Sequence, residues 1–246
     1  MRLICVAAFL IFGCNSHQEP SSISIHVFAA SSLTDALQEL VTQFEQAFPD
    51  ITIDLHVGPT SLLARQIVQG APADVFLAAS PVWMDYLLDH HLIQDTPIPF
   101  ASNTLVIVGT HDRTSIPSLS SLSMVKRLAM ADPSHVPAGV YGKQALQCAN
   151  VWKSVESRVI PTLDARAALT AVTSGSVDLA LVYGSDLELS SDVKLMFEIP
   201  EACTPNITYM IGAVKGTQHI IQTESFVAFT ADSLQQDIWS QFGFSH

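Results

Sequence analysis

Four short stretches of the chain combine a strand end, a small or hydroxyl-bearing residue and the start of a helical pattern: Ser31-Ser32, Thr60-Ser61, Pro137-Ala138-Gly139 and Leu163-Asp164-Ala165. A helix start presents backbone N–H groups with no acceptor inside the helix, together with roughly half a positive charge from the aligned peptide dipoles. One such start needs no ligand to explain it, because Ser, Thr and Asp are ordinary N-caps and Pro is ordinary at a first helical position. Four that converge would sum to about two positive charges, enough for a dianion without any lysine or arginine. Hydrogen bonds to a charged group contribute roughly 1.5 to 3 kcal/mol each, so several cover the roughly 8 kcal/mol of a micromolar complex.

Rival chemistries find less in the sequence. A hydrolase would want a G-x-S-x-G elbow, which is missing, and Tyr183-Gly184-Ser185-Asp186 is a poor substitute for that strained turn. The histidines show no H-E-x-x-H or comparable metal spacing. Arg65 and Arg166 lie several residues into helical patterns, where a structural ion pair is the simpler role. A bound dianion would repel Asp164, so capping its own helix suits it better. His135 reads as a residue that ties its turn together, and His90-His91 as a polar helix end.

The elements that must position these residues follow from periodicity. Residues 24–30 (SIHVFAA) form a strand that runs into a helix carrying Leu33, Leu37, Leu40, Val41 and Phe44 at helical spacing. The pattern repeats as strand 51–57, helix 60–70 ended by Gly70, buried strand 73–79, and helix 81–92 with the apolar stripe Trp83, Leu87 and Leu88. After strand 104–110 and a Ser- and Pro-rich loop, a second strand–helix series occupies 127–184. A strand at 207–216 then turns back toward the first unit, and one helix over 222–244 closes the chain. Such alternation implies parallel strands covered by helices. The expected fold is α/β: a two-lobed, type II-like periplasmic binding protein fold with mixed central sheets flanked by helices and a ligand cleft between the lobes. The first lobe is discontinuous, 23–104 and 211–246, and the second spans 105–210. Closure around ligand would be a hinge motion.

Composition narrows the setting. The 246 residues are 48% hydrophobic, which suits a packed protein of two modest cores. The formal charge is −12, one unit more negative if Arg2 is removed with residues 1–13, and this argues against nucleic acid or anionic lipid as partners. It also sets a problem for an anion binder, since the global field repels the ligand and capture must depend on local dipoles. The apolar run from Leu3 to Phe12 is too short to span a bilayer and reads as an export signal, 1–13. Ile11-Phe12-Gly13-Cys14 resembles the lipobox of bacterial lipoproteins, with Cys14 lipidated and 14–22 a tether. The alternative is an ordinary signal peptide cut near Gly13 or Cys14. Cys148 and Cys203, an even pair in an oxidising compartment, suggest a disulfide; the other reading is two separate buried thiols.

Taken together and in order, FAASSLTDAL, LLARQIVQGAPADVFLAAS, ADPSHVPAGVYGKQAL and LVYGSD resemble the molybdate-binding proteins of bacterial ABC transporters, over nearly the whole exported part of the chain. The resemblance implies an oxyanion held by serine hydroxyls, by backbone amides at helix starts and by a tyrosine hydroxyl. By position, Ser32 matches the first serine, Ala138 a backbone donor and Tyr183 the tyrosine. Ala165 stands where the family usually has valine, a change to which an amide donor is indifferent. A serine-rich turn is replaced by Gly58-Pro59-Thr60-Ser61, so the hydroxyl comes from Thr60 or Ser61, with Thr60 favoured by position; Pro59 has no N–H. Ser31, often alanine in relatives, adds another hydroxyl.

The same resemblance implies a monomeric, extracytoplasmic binding protein rather than an enzyme. It would have no cofactor, and molybdenum or tungsten would enter only as the bound oxyanion. An ABC permease is the implied partner, and membrane attachment would be through the lipid anchor alone. Sulfate and phosphate are the alternative ligands, and a hydrolase or a surface sensor on the same scaffold are the alternative roles.

Overall fold

The alternation of strands and helices folds into two five-stranded sheets, each flanked by helices, in a computed structural model that describes residues 22–245. The expected signal, Cys14 and nearly all of the expected tether lie outside the described residues.

The first lobe is built from β1 (Ile23–Ala30), α1 (Thr34–Ala47), β2 (Ile51–Gly58), α2 (Thr60–Val68), β3 (Val75–Ala78), α3 (Pro81–Asp89) and β4 (Ile98–Asn103). The second contains β5 (Leu105–Thr110), β6 (Leu128–Ala131), α4 (Pro137–Cys148), α5 (Trp152–Val155), β7 (Val159–Thr162), α6 (Ala165–Thr173), β8 (Leu179–Tyr183), α7 (Gly184–Glu188) and β9 (Val193–Glu198). The chain then returns through β10 (Ile207–Ala213), α8 (Ile220–Ala231) and α9 (Gln236–Gln241).

Strand order is β2-β1-β3-β10-β4 in one sheet and β7-β6-β8-β5-β9 in the other. Each sheet places three parallel strands beside one antiparallel strand, β10 or β5, that arrives from the far side of the lobe crossing. The sheets are therefore mixed, and the same plan is used twice. Thr104 alone separates β4 from β5 at the first crossing. On the way back, β10 pairs with β4 from its first residue, Ile207 opposite Asn103, so the expected change of lobe at 211 falls inside this strand.

α1 buries Leu37, Leu40 and Phe44 against Ile25 and Val27 of β1. Phe44 meets Phe226 and Phe229 of α8 edge-on at 5.1 and 5.3 Å, which fixes the C-terminal segment to the first lobe. The opposite face of the sheet holds Phe28, Leu63, Phe76, Met84 and Leu87. Along α3 the buried stripe is Met84 and Leu87, whereas Leu88 is at the surface and the Trp83 indole bonds across the cleft.

The single helix expected over 222–244 is broken at Asp232. That residue has extended backbone and its carboxylate accepts from Leu234 N at 2.9 Å, capping a new turn and separating α8 from α9. A disulfide joins Cys148, at the end of α4, to Cys203 in the segment leading to β10. Closing a loop of 55 residues stabilises a fold by roughly 4 kcal/mol in the chain-entropy account.

Candidate anion site between the lobes

β1, β2 and β3 are parallel, as are β6, β7 and β8, so in each sheet the carboxyl ends fall on one edge. The crevice outside the carboxyl ends of such strands is where α/β proteins bind ligands. Here the two edges face each other. β1 passes through a tight turn at Ser31–Leu33 into α1, β2 leads through Pro59 into α2, and the segments after β6 and β7 start α4 and α6.

These four starts and the end of β8 enclose one pocket of about 20 Å³. Its wall includes Ser31, Ser32 and Thr60 from the first lobe and Ala138, Ala165 and Tyr183 from the second, and it contains no lysine or arginine. Organic ligands occupy sites of several hundred Å³, so this pocket suits a solute of a few atoms. Ser61 is not in the wall; it is buried one position further along α2, with its hydroxyl unpartnered.

The polar groups in this wall lack the partners that helix starts normally have. No side chain caps the turn at Ser31, α1, α2 or α4. At α6, Asp164 accepts from Ala167 N at 2.8 Å, which is the capping role expected of it and leaves the Ala165 amide uncapped. Buried amides without acceptors are rare unless a ligand completes them. Thr60 Oγ1 accepts from Ala79 N at 3.3 Å and makes no other side-chain bond among the described residues, so its proton is available.

Ser32 is prepared from behind. Asn103 Oδ1 accepts from Thr104 N at 2.9 Å, which turns its Nδ2 to donate to the Tyr209 hydroxyl at 3.3 Å. Tyr209 in turn lies 2.9 Å from Ser32 Oγ. Either hydroxyl can donate in this contact; with Tyr209 donating, the Ser32 proton is left for a solute in the pocket, and a chain of this kind polarises each member in one direction. Tyr183 Oη is buried with no hydrogen-bond partner. The Tyr209 ring is 6.1 Å away, but its hydroxyl is already engaged with Ser32 and Asn103. Burial holds both phenols well above their ordinary value, and neighbouring Tyr209, Tyr141 and Asp186 raise Tyr183 further, so Tyr183 is a neutral donor at physiological pH.

Charge is present next to the pocket but directed elsewhere. Arg166, immediately after Ala165, reaches across the cleft to Asp35 Oδ2 of α1 at 2.5 Å, with its Nε 2.8 Å from Asp186 Oδ1. The Nε contact is an ion pair rather than an aligned hydrogen bond, since neither atom has a partner of hydrogen-bond geometry. Asp186 is fully buried and its Oδ2 accepts from Tyr183 N at 3.1 Å. Burial raises its carboxyl to about 6 against the opposing pull of Arg166. Trp83 Nε1 also bonds between lobes, to the His135 carbonyl at 3.0 Å.

Ser31, Ser32, Thr60, Ala138, Ala165 and Tyr183 are thus gathered at one place, and Ser61 is set behind them. Arg166 forms the ion pairs expected of it, whereas Arg65 lies over the Trp83 ring at 5.2 Å and has no carboxylate partner among the described residues. His135 Nδ1 lies 2.9 Å from Ser134 Oγ within its turn. Sequence reasoning missed Tyr209, Asn103 and Asp35. Tyr209 alone carried a signal, as a tyrosine at an inward position of an apolar strand whose hydroxyl must find a partner. It also missed why position 139 is glycine. A Cβ there would overlap the carbonyl oxygens of Ala131 and Asp132, so glycine lets α4 start hard against the end of β6.

Residues 25–245 match the family of bacterial extracellular solute-binding proteins. The chain is 36% identical over 229 residues to the molybdate-binding protein ModA of Escherichia coli K12, covering 90% of this chain and 88% of that one. It is 29% identical to a putative ABC transporter substrate-binding lipoprotein, YvgL, of Bacillus subtilis, covering 97% and 94%. Among solved structures, the periplasmic molybdate-binding protein of Azotobacter vinelandii superposes with a TM-score of 0.81 over 90% of this chain and 99% of that one, at 19% identity, a likeness of fold.

Proposed function

From the premise that this chain belongs to the bacterial extracellular solute-binding proteins, we propose that it captures molybdate outside the cytoplasm and delivers it to an ABC transporter. The observation that carries the reading is a pocket for a very small solute, walled by uncapped helix starts and an unpartnered tyrosine hydroxyl, with no cation in its wall. Ser32 and Thr60 donate their hydroxyls and first-turn amides, Ala138 and Ala165 donate amides, and Tyr183 donates Oη. Ser31 offers a further hydroxyl at the rim.

Each helix start contributes roughly half a positive charge, so the dianion is neutralised by dipoles fixed before it arrives. Donors drawn from both lobes make ligand affinity and lobe closure one equilibrium. Tungstate, nearly the same size, binds alike. Sulfate is smaller and leaves donors out of reach. Protonated phosphate needs an acceptor facing it, which this set of donors lacks; Asp164 borders the pocket with Oδ1 directed to Ala167 N. No histidine or cysteine lines the pocket to act as base or nucleophile, which favours binding without catalysis. The protein acts as a monomer and, through Cys14, as a lipoprotein whose partner is the transporter's permease.

Calorimetric titration of the exported domain with four oxyanions tests this reading. Molybdate and tungstate should bind with one site per chain, and sulfate and phosphate at least about a hundredfold more weakly, the discrimination expected when buried donors are left unpaired. Equal affinity for all four, or none for molybdate, overturns the assignment.

A further inference from the structure

Outside the wall of the anion pocket, three side chains that ligate transition metals meet on the face of the first sheet opposite α1: His26 on β1, and Asp54 and His56 on β2. We propose that they form a binding site for a divalent transition-metal ion of the zinc, nickel and copper class. The proposal is independent of the anion pocket.

Strand register creates the arrangement. β1 and β2 are parallel, with His26 beside Asp54 and Phe28 beside His56. Because side chains alternate with a period of two, His26, Asp54 and His56 share one face. His26 Nδ1 lies 3.0 Å and His56 Nε2 3.2 Å from the same oxygen, Asp54 Oδ2, and all three ligand atoms lie within 4.8 Å of one another. Ordinary surface His–Asp contacts use whichever carboxylate oxygen is convenient. Two imidazoles converging on one oxygen instead bring three ligand atoms round a single point.

The dimensions suit a metal. With metal–nitrogen distances of about 2.0 to 2.1 Å and metal–oxygen of about 2.0 to 2.2 Å, the edge of a tetrahedral site is roughly 3.3 Å. Two edges are already close to that length, and the third is at most 4.8 Å. Two imidazoles and a carboxylate select zinc, nickel or copper over calcium or magnesium, and leave a position for water.

The surroundings hold the ligands without blocking them. The His26 backbone N–H donates to Asp74 Oδ2 at 2.8 Å, and Asp74 Oδ1 accepts from Thr217 Oγ1 at 2.5 Å, so this part of β1 is anchored. The His56 ring lies 4.8 Å from the buried Phe28 ring. His26 opens on a surface groove of about 420 Å³ and His56 on another of about 630 Å³, so hydrated ions have access from both sides. The acidic protein also draws cations to its surface. A bound ion would clamp β2, an edge strand, to β1.

The test is calorimetric titration of tag-free protein, carrying one equivalent of molybdate, with zinc chloride in a non-chelating buffer. One zinc ion per chain is expected. Asp54→Asn should weaken zinc binding by at least about tenfold, the loss typical of partners one shell further out, and the pair His26→Ala with His56→Ala should weaken it more. Because the three side chains are partly exposed and none lines the anion pocket, the variants should still bind one molybdate per chain and keep the parent's urea-unfolding midpoint, which verifies that they fold. His56→Gln alone serves if the double variant does not fold. Absence of zinc uptake by the intact protein overturns the proposal. So does uptake unchanged in the folded variants, which would put the ion on other histidines such as His90 and His91.

Discussion

The pocket and the Arg166 cluster beside it face the same problem, buried charge, and resolve it in opposite ways. The pocket wall has no lysine or arginine, its one carboxylate, Asp164, caps α6, and positive potential comes from helix starts and hydroxyls. One residue beyond Ala165, a full guanidinium is available but is held between Asp35 of one lobe and Asp186 of the other. The difference separates two tasks. A guanidinium is long and mobile and can follow anions of many sizes, whereas amides at the ends of packed strands stay at fixed positions and reward one radius. The cation bridges the lobes, and on the proposed reading the ligand is left to dipoles.

If that separation holds, the largest effect comes from removing the cation. Arg166→Met leaves Asp186 buried without a counter-charge and should destabilise the protein by about 3 to 5 kcal/mol, read from urea unfolding without ligand. The pH dependence gives the sign. In the intact protein the Asp186 carboxyl sits at about 6 against an ordinary 3.8, so between those values the native state holds a proton that the unfolded chain has released. Stability from this group is full below about pH 4 and lost by about pH 6. Without Arg166 that falling limb should extend to higher pH. A variant as stable as the parent at pH 8 would show that Asp186 does not depend on Arg166.

Removing a neutral donor should leave the fold intact and affect binding alone. Tyr183→Phe deletes a buried hydroxyl that has no partner in the protein, so stability without ligand should be unchanged or slightly higher. Molybdate affinity should fall by about 10- to 150-fold, the equivalent of one hydrogen bond to a charged group at roughly 1.5 to 3 kcal/mol. Calorimetry on the variant decides. Unchanged affinity would remove Tyr183 from the ligand shell and blur the distinction between pocket and cluster.

The two regions were unequally legible in the sequence. The pocket is made of helix starts, and helix starts are local: Ser31-Ser32, Thr60-Ser61, Pro137-Ala138 and Asp164-Ala165 each mark a change of period within a few residues. Strand–helix alternation then implied that they share one side of a parallel sheet. The cluster, like the hydroxyl chain behind Ser32, depends on pairings over long separations, Asp35 with Arg166 and Asn103 with Tyr209, and no short window contains both partners. Arg166 could be assigned to an ion pair but not given its partners. Ser61 and Thr60 stayed alternatives because adjacent residues at a helix start differ by about 100° in direction, and the sense of that turn depends on where α2 packs. The single C-terminal helix was misread because the apolar spacing on both sides of Asp232 continues in phase, while its capping geometry is a backbone property.

The smallest expected effect is also the most direct test of what the cluster does for the pocket. Asp35→Asn removes the part of the ion-pair network that crosses the cleft, leaving Arg166 with Asp186. Both partners of the lost pair are partly exposed, so its worth is about 0.2 to 1 kcal/mol, roughly a one- to fivefold change. Deleting a negative charge near an anion site also favours encounter, so the equilibrium constant mixes two opposing changes. Rates separate them. The contribution to closure belongs to ligand release, and long-range repulsion belongs to association. Stopped-flow fluorescence, using Trp83 where it bonds across the cleft, should show molybdate leaving up to about five times faster and arriving slightly faster. Both rate differences should shrink at high salt, because screening weakens the exposed pair and the repulsion together. A release rate identical to the parent's at low salt would mean that the Asp35–Arg166 contact accompanies closure without stabilising it, leaving the Trp83–His135 and Asn103–Ser185 bonds among the polar ties between the lobes.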